Sequence, residues 1–256
     1  MPIMSFCRYE KKILVSAETA ERFIEKISPY VTTDKYCIDG KEYLISNIYY
    51  DDEDNTVIEH SLSKPKYKEK LRVRSYGIPD KDSKVFIEIK KKIRGLTLKR
   101  RATLLFREAE AYFETGHKPE NLKYINNQVL REVDYYLENH KVKPVIYIAY
   151  DRRAFFATDD KSLRISVDRN VRTRRYDLSL DKGDYGEPLL DRWIKYKGLD
   201  IKDPRLIEIK FNNAIPLWLT KILSSEKMRM RPFSKYGNEY KMLSNDFEIY
   251  DIKEKI

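Results

Sequence analysis

Lys68, Lys70, Arg72 and Arg74 recur at every second position of the stretch Tyr67-Lys-Glu-Lys-Leu-Arg-Val-Arg-Ser-Tyr76. Side chains of an extended strand alternate between faces. These cations therefore share one face, and Tyr67, Leu71 and Val73 share the other. Such a row cannot lie in a dry core, because unpaired buried charge costs too much. The face needs water or an anion opposite it.

Other stretches repeat the pattern. Val85, Ile87 and Ile89 oppose Phe86, Glu88 and Lys90. Leu163, Ile165 and Val167 oppose Arg164, Ser166 and Asp168, and Ile207, Ile209 and Phe211 oppose Glu208 and Lys210. Near the N-terminus Glu10 and Lys12 share a face, with Arg8 in line. One such strand alone describes a half-solvated antiparallel sheet. Repetition of a cation-rich set with lone carboxylates points further, since solvent faces usually balance charge across neighbours.

Two geometries fit: a flat basic sheet for nucleic acid, or a barrel with a wet, charged interior. The first needs aromatics on the charged face to stack bases, and only Tyr76 and Phe86 are there. Sparse carboxylates among cations suit a divalent metal beside phosphates, the usual requirement of phosphoryl transfer. Glu208 next to Lys210 also fits a plain cross-strand ion pair.

The elements that must position these residues are legible from periodicity and punctuation. A first strand is predicted over Phe6–Val15, then a helix capped by Ser16 with Ala20, Phe23, Ile24 and Ile27 on its apolar stripe, ending at Pro29. Glu42–Tyr50 reads as a strand, Asn55–Leu62 as a short helical segment, and Lys84–Lys92 with Leu96–Phe106 as a hairpin about Gly95. Helices follow at Arg107–Thr115, closed by Gly116, and at Asn121–His140. Strands resume at Val145–Phe156, Ser162–Arg169 and Val171–Tyr176. Asp177–Lys197 is predicted as a loop, Arg205–Asn212 as a strand, and Pro216–Ser225 as a helix. The tail after Met228 reads as irregular or partly helical. Strands in runs, with helices grouped between them, predict an α+β fold with a mostly antiparallel sheet.

The bulk numbers set limits. At 256 residues, 41% hydrophobic and net charge +10, the chain has material for a sizeable core and favours polyanionic partners. Its 8 glycines form no Gly-rich phosphate loop, which argues against P-loop and dinucleotide folds. Cys7 and Cys37 read as free thiols, and His60, His117 and His140 show no zinc-like spacing. With no signal peptide and no apolar run near the ~20 residues of a membrane helix, a cytoplasmic location is expected.

In order along the chain, Arg8-Tyr-Glu-Lys-Lys12, Tyr49-Tyr-Asp51, Lys70-Leu-Arg-Val-Arg-Ser-Tyr76, Phe86-Ile-Glu-Ile-Lys90 and Lys99-Arg-Arg101 resemble motifs of the VTC domain. Tyr150-Asp-Arg-Arg-Ala-Phe155, Leu163-Arg-Ile-Ser-Val-Asp168, Glu208-Ile-Lys210 and Phe233-Ser-Lys-Tyr236 continue the series. That domain is the catalytic part of the vacuolar transporter chaperone polyphosphate polymerase. It belongs to the triphosphate tunnel metalloenzymes, with the CYTH phosphatases and class IV adenylate cyclases. The resemblance runs from about residue 6 to 240. It implies a single domain over residues 1–256 folded as an antiparallel β-barrel, a triphosphate tunnel with helices packed outside. It also implies a phosphotransferase that moves the γ-phosphoryl of ATP onto inorganic polyphosphate.

By position, the resemblance gives Arg72, Arg74, Lys90, Arg152 and Arg164 catalytic roles. It makes Lys12, Lys70, Lys99, Lys210, Ser234 and Lys235 phosphate ligands. Glu208 becomes the ligand of Mn2+ or Mg2+, and Glu10, Glu88 and Asp168 orient cations or water around it. The chain departs from the eukaryotic pattern at Pro232, where those members carry Lys, and near Ser61, where Lys64 or Lys66 replaces a basic residue. The regulatory and membrane segments of the eukaryotic complex have no counterpart in this sequence, so a membrane or regulatory partner would be separate. A triphosphate or polyphosphate hydrolase of the same superfamily and a non-catalytic polyphosphate- or nucleotide-binding module are the alternatives. Arg8, where the hydrolases carry the first Glu of a Glu-x-Glu-x-Lys motif, favours the polymerase. Nucleic acid is not expected as a partner.

Overall fold

The computed structural model describes residues 9–94 and 96–253, with side chains described for 9–38, 40–94 and 96–244. The predicted roles of Cys7, Arg8 and the Gly95 turn lie outside the described residues. In chain order the elements are β1 (Tyr9–Ser16), α1 (Ala17–Ile27), β2 (Val31–Thr33), β3 (Tyr43–Asp51) and α2 (Thr56–Leu62). Then come β4 (Tyr67–Tyr76), β5 (Lys84–Ile93), β6 (Leu96–Leu105), α3 (Phe106–Thr115), α4 (Tyr124–Asn139) and β7 (Lys143–Ala157). The remainder is β8 (Arg164–Arg174), β9 (Glu187–Pro188), α5 (Leu189–Tyr196), β10 (Pro204–Phe211), α6 (Leu217–Ser225) and α7 (Lys235–Lys253). The fold is α+β, and β1–β10, β10–β8, β2–β7, β3–β4, β4–β5, β5–β6 and β8–β9 pair antiparallel.

The chain divides into two compact units, and β7 contributes to both, changing unit after Ala149. In the unit built on residues 44–149 and 174–186, the strands run β7-β3-β4-β5-β6. Leu71, Val73, Val85, Ile87, Ile89, Ala102 and Leu104 turn one face to Phe106 and Tyr112 of α3 and to Val129, Leu130, Val133 and Tyr136 of α4. Gly116 ends α3 at φ 74°, the left-handed region that glycine enters without steric cost. The two acids after Tyr49-Tyr50 hold α2 in place. Asp51 is buried and accepts from the Val57 and Ile58 amides at 2.9 and 3.0 Å, while Asp52 accepts from Thr56 at 2.8 Å. They satisfy helix N–H groups that have no partner inside the helix.

Arg174, at the end of β8, fastens the segment that follows it. Its guanidinium donates to the carbonyls of Asp177, Ser179, Gly183 and Tyr185 at 2.8–3.3 Å. It also lies 3.6 Å from the Tyr147 ring centroid and 4.3 Å from that of Tyr185.

In the other unit (residues 9–43, 150–173 and from 187 onward) the strand order is β1-β10-β8-β7, with β2 paired to β7. Ile13, Val15, Ile165, Val167, Ile207 and Ile209 pack against Ala20, Phe23 and Ile27 of α1 and Leu219 and Leu223 of α6. Ser16 caps α1 as predicted, its hydroxyl accepting from the Thr19 amide at 3.3 Å.

Two predictions need correction. The loop expected over Asp177–Lys197 contains α5, whose Leu189, Leu190, Trp193 and Ile194 are buried at helical spacing. The two strands expected over Ser162–Arg169 and Val171–Tyr176 are one strand, β8, which passes through Asn170 at φ 48°. The tail after Met228 is irregular up to Ser234 and then helical as α7, in keeping with the partly helical reading.

Candidate functional site

Two groups of charged side chains stand on strand faces turned away from the apolar clusters, one group in each unit. The first is built by register. Lys70, Lys90 and Lys99 stand opposite one another across β4, β5 and β6. The next rung holds Arg72, Glu88 and Arg101. Glu88 is fully buried and organises the group. Arg72 Nε donates to its Oε2 at 2.8 Å, and Lys99 Nζ and Arg101 Nε donate to its Oε1 at 2.9 and 2.7 Å. Arg74 Nε lies 3.8 Å from Oε2.

Neighbours aim these cations. Arg72 Nη1 donates to the Tyr49 hydroxyl at 2.7 Å, and Arg74 Nε donates to Asn47 Oδ1 at 2.9 Å. Asn47 is itself fixed by its donation to the Ile148 carbonyl at 2.9 Å. Arg101 lies 4.3 Å over the ring of Phe86, which meets Tyr76 edge-on. Burial opposes ionisation of Glu88, but Arg74, Arg72, Lys99 and Arg101 hold its carboxyl well below the usual range. Burial and repulsion from the three arginines bring Lys99 down to about 7, against the opposing pull of Glu88.

The second group surrounds two carboxylates. Arg152 grips Asp168 bidentately, Nε to Oδ1 at 2.6 Å and Nη2 to Oδ2 at 2.8 Å, while Lys235 Nζ donates to Oδ2 at 2.5 Å. Burial disfavours the ionised Asp168, yet Arg152 and Lys235 bring it down to about 2. Glu208 accepts from Lys210 Nζ on Oε2 at 2.9 Å, with Arg152 Nη2 at 3.8 Å from the same oxygen. Its Oε1 has Lys12 Nζ at 4.0 Å. Burial lowers Lys210 to about 8 although Glu208 and Glu10 raise it, and it stands in register between Glu10 and Arg164.

The predicted site residues therefore fall into these two groups, with some particulars that the sequence did not suggest. Arg164 donates to Asp34 Oδ2 at 2.6 Å. Ser234 starts α7: its hydroxyl accepts from the Gly237 amide at 3.1 Å, a helix-cap role. Arg101 was missed, although period two from Lys99 places it on the charged face. Tyr49 and Asn47, which aim the arginines, sit in a strand whose charged face carries no repeated signal.

The donor set fits a divalent metal in one way only. Among the described residues no three His, Cys, Asp or Glu side chains converge on a metal position. Glu88 and Asp168 are fully buried and their oxygens are engaged by cations. Glu208 keeps about a tenth of its side chain exposed; Lys210 occupies its Oε2, and Lys12 Nζ stands 4.0 Å from its Oε1. That offers one protein ligand, the number common where phosphates and water supply the rest.

A family model described as the VTC domain matches residues 7–244. Vacuolar transporter chaperone complex subunit 4 of Schizosaccharomyces pombe is 26% identical over 227 residues, covering 75% of this chain. The chain spans 30% of the length of that relative. The crystal structure of a candidate adenylate cyclase from Bacillus halodurans superposes with a TM-score of 0.51 at 16% identity, over 91% of this chain and 96% of that one. At that identity the likeness concerns the fold alone. Among the described residues no helix is long and apolar enough to cross a membrane. The family match covers nearly the whole chain, including both charged groups, and the chain belongs to the VTC domain family.

Proposed function

We propose that this chain, acting as one domain, is a cytoplasmic polyphosphate polymerase that transfers the γ-phosphoryl of ATP to the end of an inorganic polyphosphate chain. With this reading goes the β-barrel tunnel implied by the family. The observation that carries it is the excess of cations on each charged face. Arg72, Arg74, Lys99 and Arg101 share the single carboxylate of Glu88, with Lys70 and Lys90 on the next rung. Cations gathered this densely around one carboxylate on a half-buried face suit a bound polyanion.

The chemistry needs no protein nucleophile. A terminal phosphate oxygen of the acceptor attacks the γ-phosphorus in line, one P–O bond forms, the bond to the β-phosphate oxygen breaks, and ADP leaves. The arginines contact phosphate oxygens through paired N–H donors, and the lysines act as point charges. Both hold donor and acceptor in line and stabilise the charge that spreads over the equatorial oxygens. Mn2+ or Mg2+ on Glu208 would neutralise further phosphate charge. Incubation of the chain with ATP and manganese should yield polyphosphate ladders on a gel together with ADP. Free phosphate without chains would instead mark a hydrolase, and tight binding without ADP release a binding module.

A pH dependence follows from Lys99. Its ammonium, held at about 7, is largely neutral above that pH in the free protein. A bound phosphate favours the charged form, so binding above pH 7 takes up a proton. The advantage of wild type over Lys99→Met in tripolyphosphate affinity should be largest below pH 7 and shrink as pH rises to 9. Calorimetric titrations of both proteins cancel the titration of the ligand itself. A gap that stays constant across this range contradicts the assignment.

A further inference from the structure

The opposite face of the strands that carry the second charged group ends in a separate cluster of cations, within the same unit. Arg153 follows Arg152 on β7, and Arg169 follows Asp168 on β8, so alternation turns both away from that group. Arg169 continues the face of Ile165 and Val167, and Arg205 that of Ile207 and Ile209. Leu206 pairs with Asp168 across β10 and β8, so one step further along the ladder Arg205 stands opposite Arg169. The three guanidiniums border a hollow of about 480 Å³, together with Lys41, Glu42 and Glu21.

Carboxylates fix two of the arginines. Arg153 donates to both oxygens of Glu21 on α1, through Nη1 at 3.1 Å and through Nη2. Arg205 donates to both oxygens of Asp203, through Nη1 and through Nη2 at 2.9 Å. Arg169 differs: it meets Glu42 through Nε, and its two terminal nitrogens make no hydrogen bond among the described residues. The exposed Lys41 ammonium likewise has no ion pair among them. Arg153 Nε is buried without a hydrogen-bond partner, with Glu42 Oε1 3.6 Å away. Like charges directly opposite across a ladder are unfavourable, and an anion placed among these cations relieves that repulsion. Guanidinium donors match phosphate oxygens in particular. A hollow of this size takes a phosphate group together with a small organic remainder.

We propose that this hollow is an anion site for a phosphate group, free or carried by a small phosphomonoester, on the sheet face away from the proposed transfer chemistry. Arg169 and Lys41 supply the donors, and Arg153 and Arg205, held by their carboxylates, supply the surrounding positive field. The site stands independently of the polymerase reading.

Hydrogen exchange tests it, with inorganic phosphate and glycerol 3-phosphate titrated at constant ionic strength. Either ligand is expected to slow exchange in peptides covering residues 38–43. Combined Lys41→Gln and Arg169→Gln substitution should raise the concentration for half-maximal protection at least about tenfold, for two lost charge-assisted contacts. Both changes are at exposed positions, where substitution leaves folding nearly untouched. Stronger protection by glycerol 3-phosphate assigns the organic remainder to the hollow, and equal protection assigns free phosphate. Phosphate bound at the first charged group registers instead in peptides covering 67–76 and 84–93. Protection there with none at 38–43 would overturn the proposal, as would undiminished protection of 38–43 in the double variant.

Discussion

Arg72→Ala should lower phosphoryl transfer from ATP by at least about 100-fold in a protein that stays folded. Arg72 is preorganised: Nε and Nη2 engage Glu88 at 2.8 and 2.6 Å, and Nη1 donates to Tyr49 at 2.7 Å. Removing one such preorganised donor typically costs about 10²–10³ in rate. The fold should survive, because Arg74, Lys99 and Arg101 still compensate Glu88. Arg72→Lys should recover little of the rate, since an ammonium cannot reproduce the planar fork. Steady-state ADP release, with circular dichroism on the same samples, reads both halves of the prediction. A wild-type rate from folded Arg72→Ala would remove this residue from the reaction.

Glu88→Ala should act on stability. The substitution deletes the buried anion on which Arg72, Arg74, Lys99 and Arg101 converge. Breaking a buried ion pair by removing one partner costs about 3–5 kcal/mol, and here several cations lose the same partner. That is a large share of the stability of an ordinary domain. Denaturant unfolding should show the loss, and added tripolyphosphate should restore part of it by supplying the missing negative charge. By contrast, Glu18→Ala removes an exposed pair with Arg22 on α1 and should leave the unfolding midpoint near that of wild type. A Glu88→Ala protein within about 1 kcal/mol of wild type would show that the cations can spread into solvent without it.

Much of this arrangement was legible because strand chemistry has a short period. The alternation in Tyr67–Tyr76 and in Val85–Lys90 assigned each side chain to a face, and the structure keeps Leu71, Val73, Ile87 and Ile89 buried on one side. Ser16 and Gly116 announced helix ends through chemistry confined to one residue. Features set by neighbours distant in sequence were not legible. Nothing local indicates that Arg164 meets Asp34, 130 residues away, or that Glu88 gathers cations from three strands. The helix of Leu189–Tyr196 was hidden by Gly183, Gly186 and Pro188, which mark a turn before it, while its stripe of Leu189, Leu190, Trp193 and Ile194 covers barely two turns. Asn170 tolerates φ 48° inside a strand, so a residue that usually marks a break there marks none.

The fastening of residues 177–185 by Arg174 has a consequence for how this chain can diverge. The guanidinium reads four carbonyls, and every amino acid supplies a carbonyl. Inside that segment an exposed side chain such as Lys182 can change without touching those bonds, whereas position 174 needs a donor fork of this reach. Backbone held by one side chain ties the shape of the segment to a single neighbouring residue.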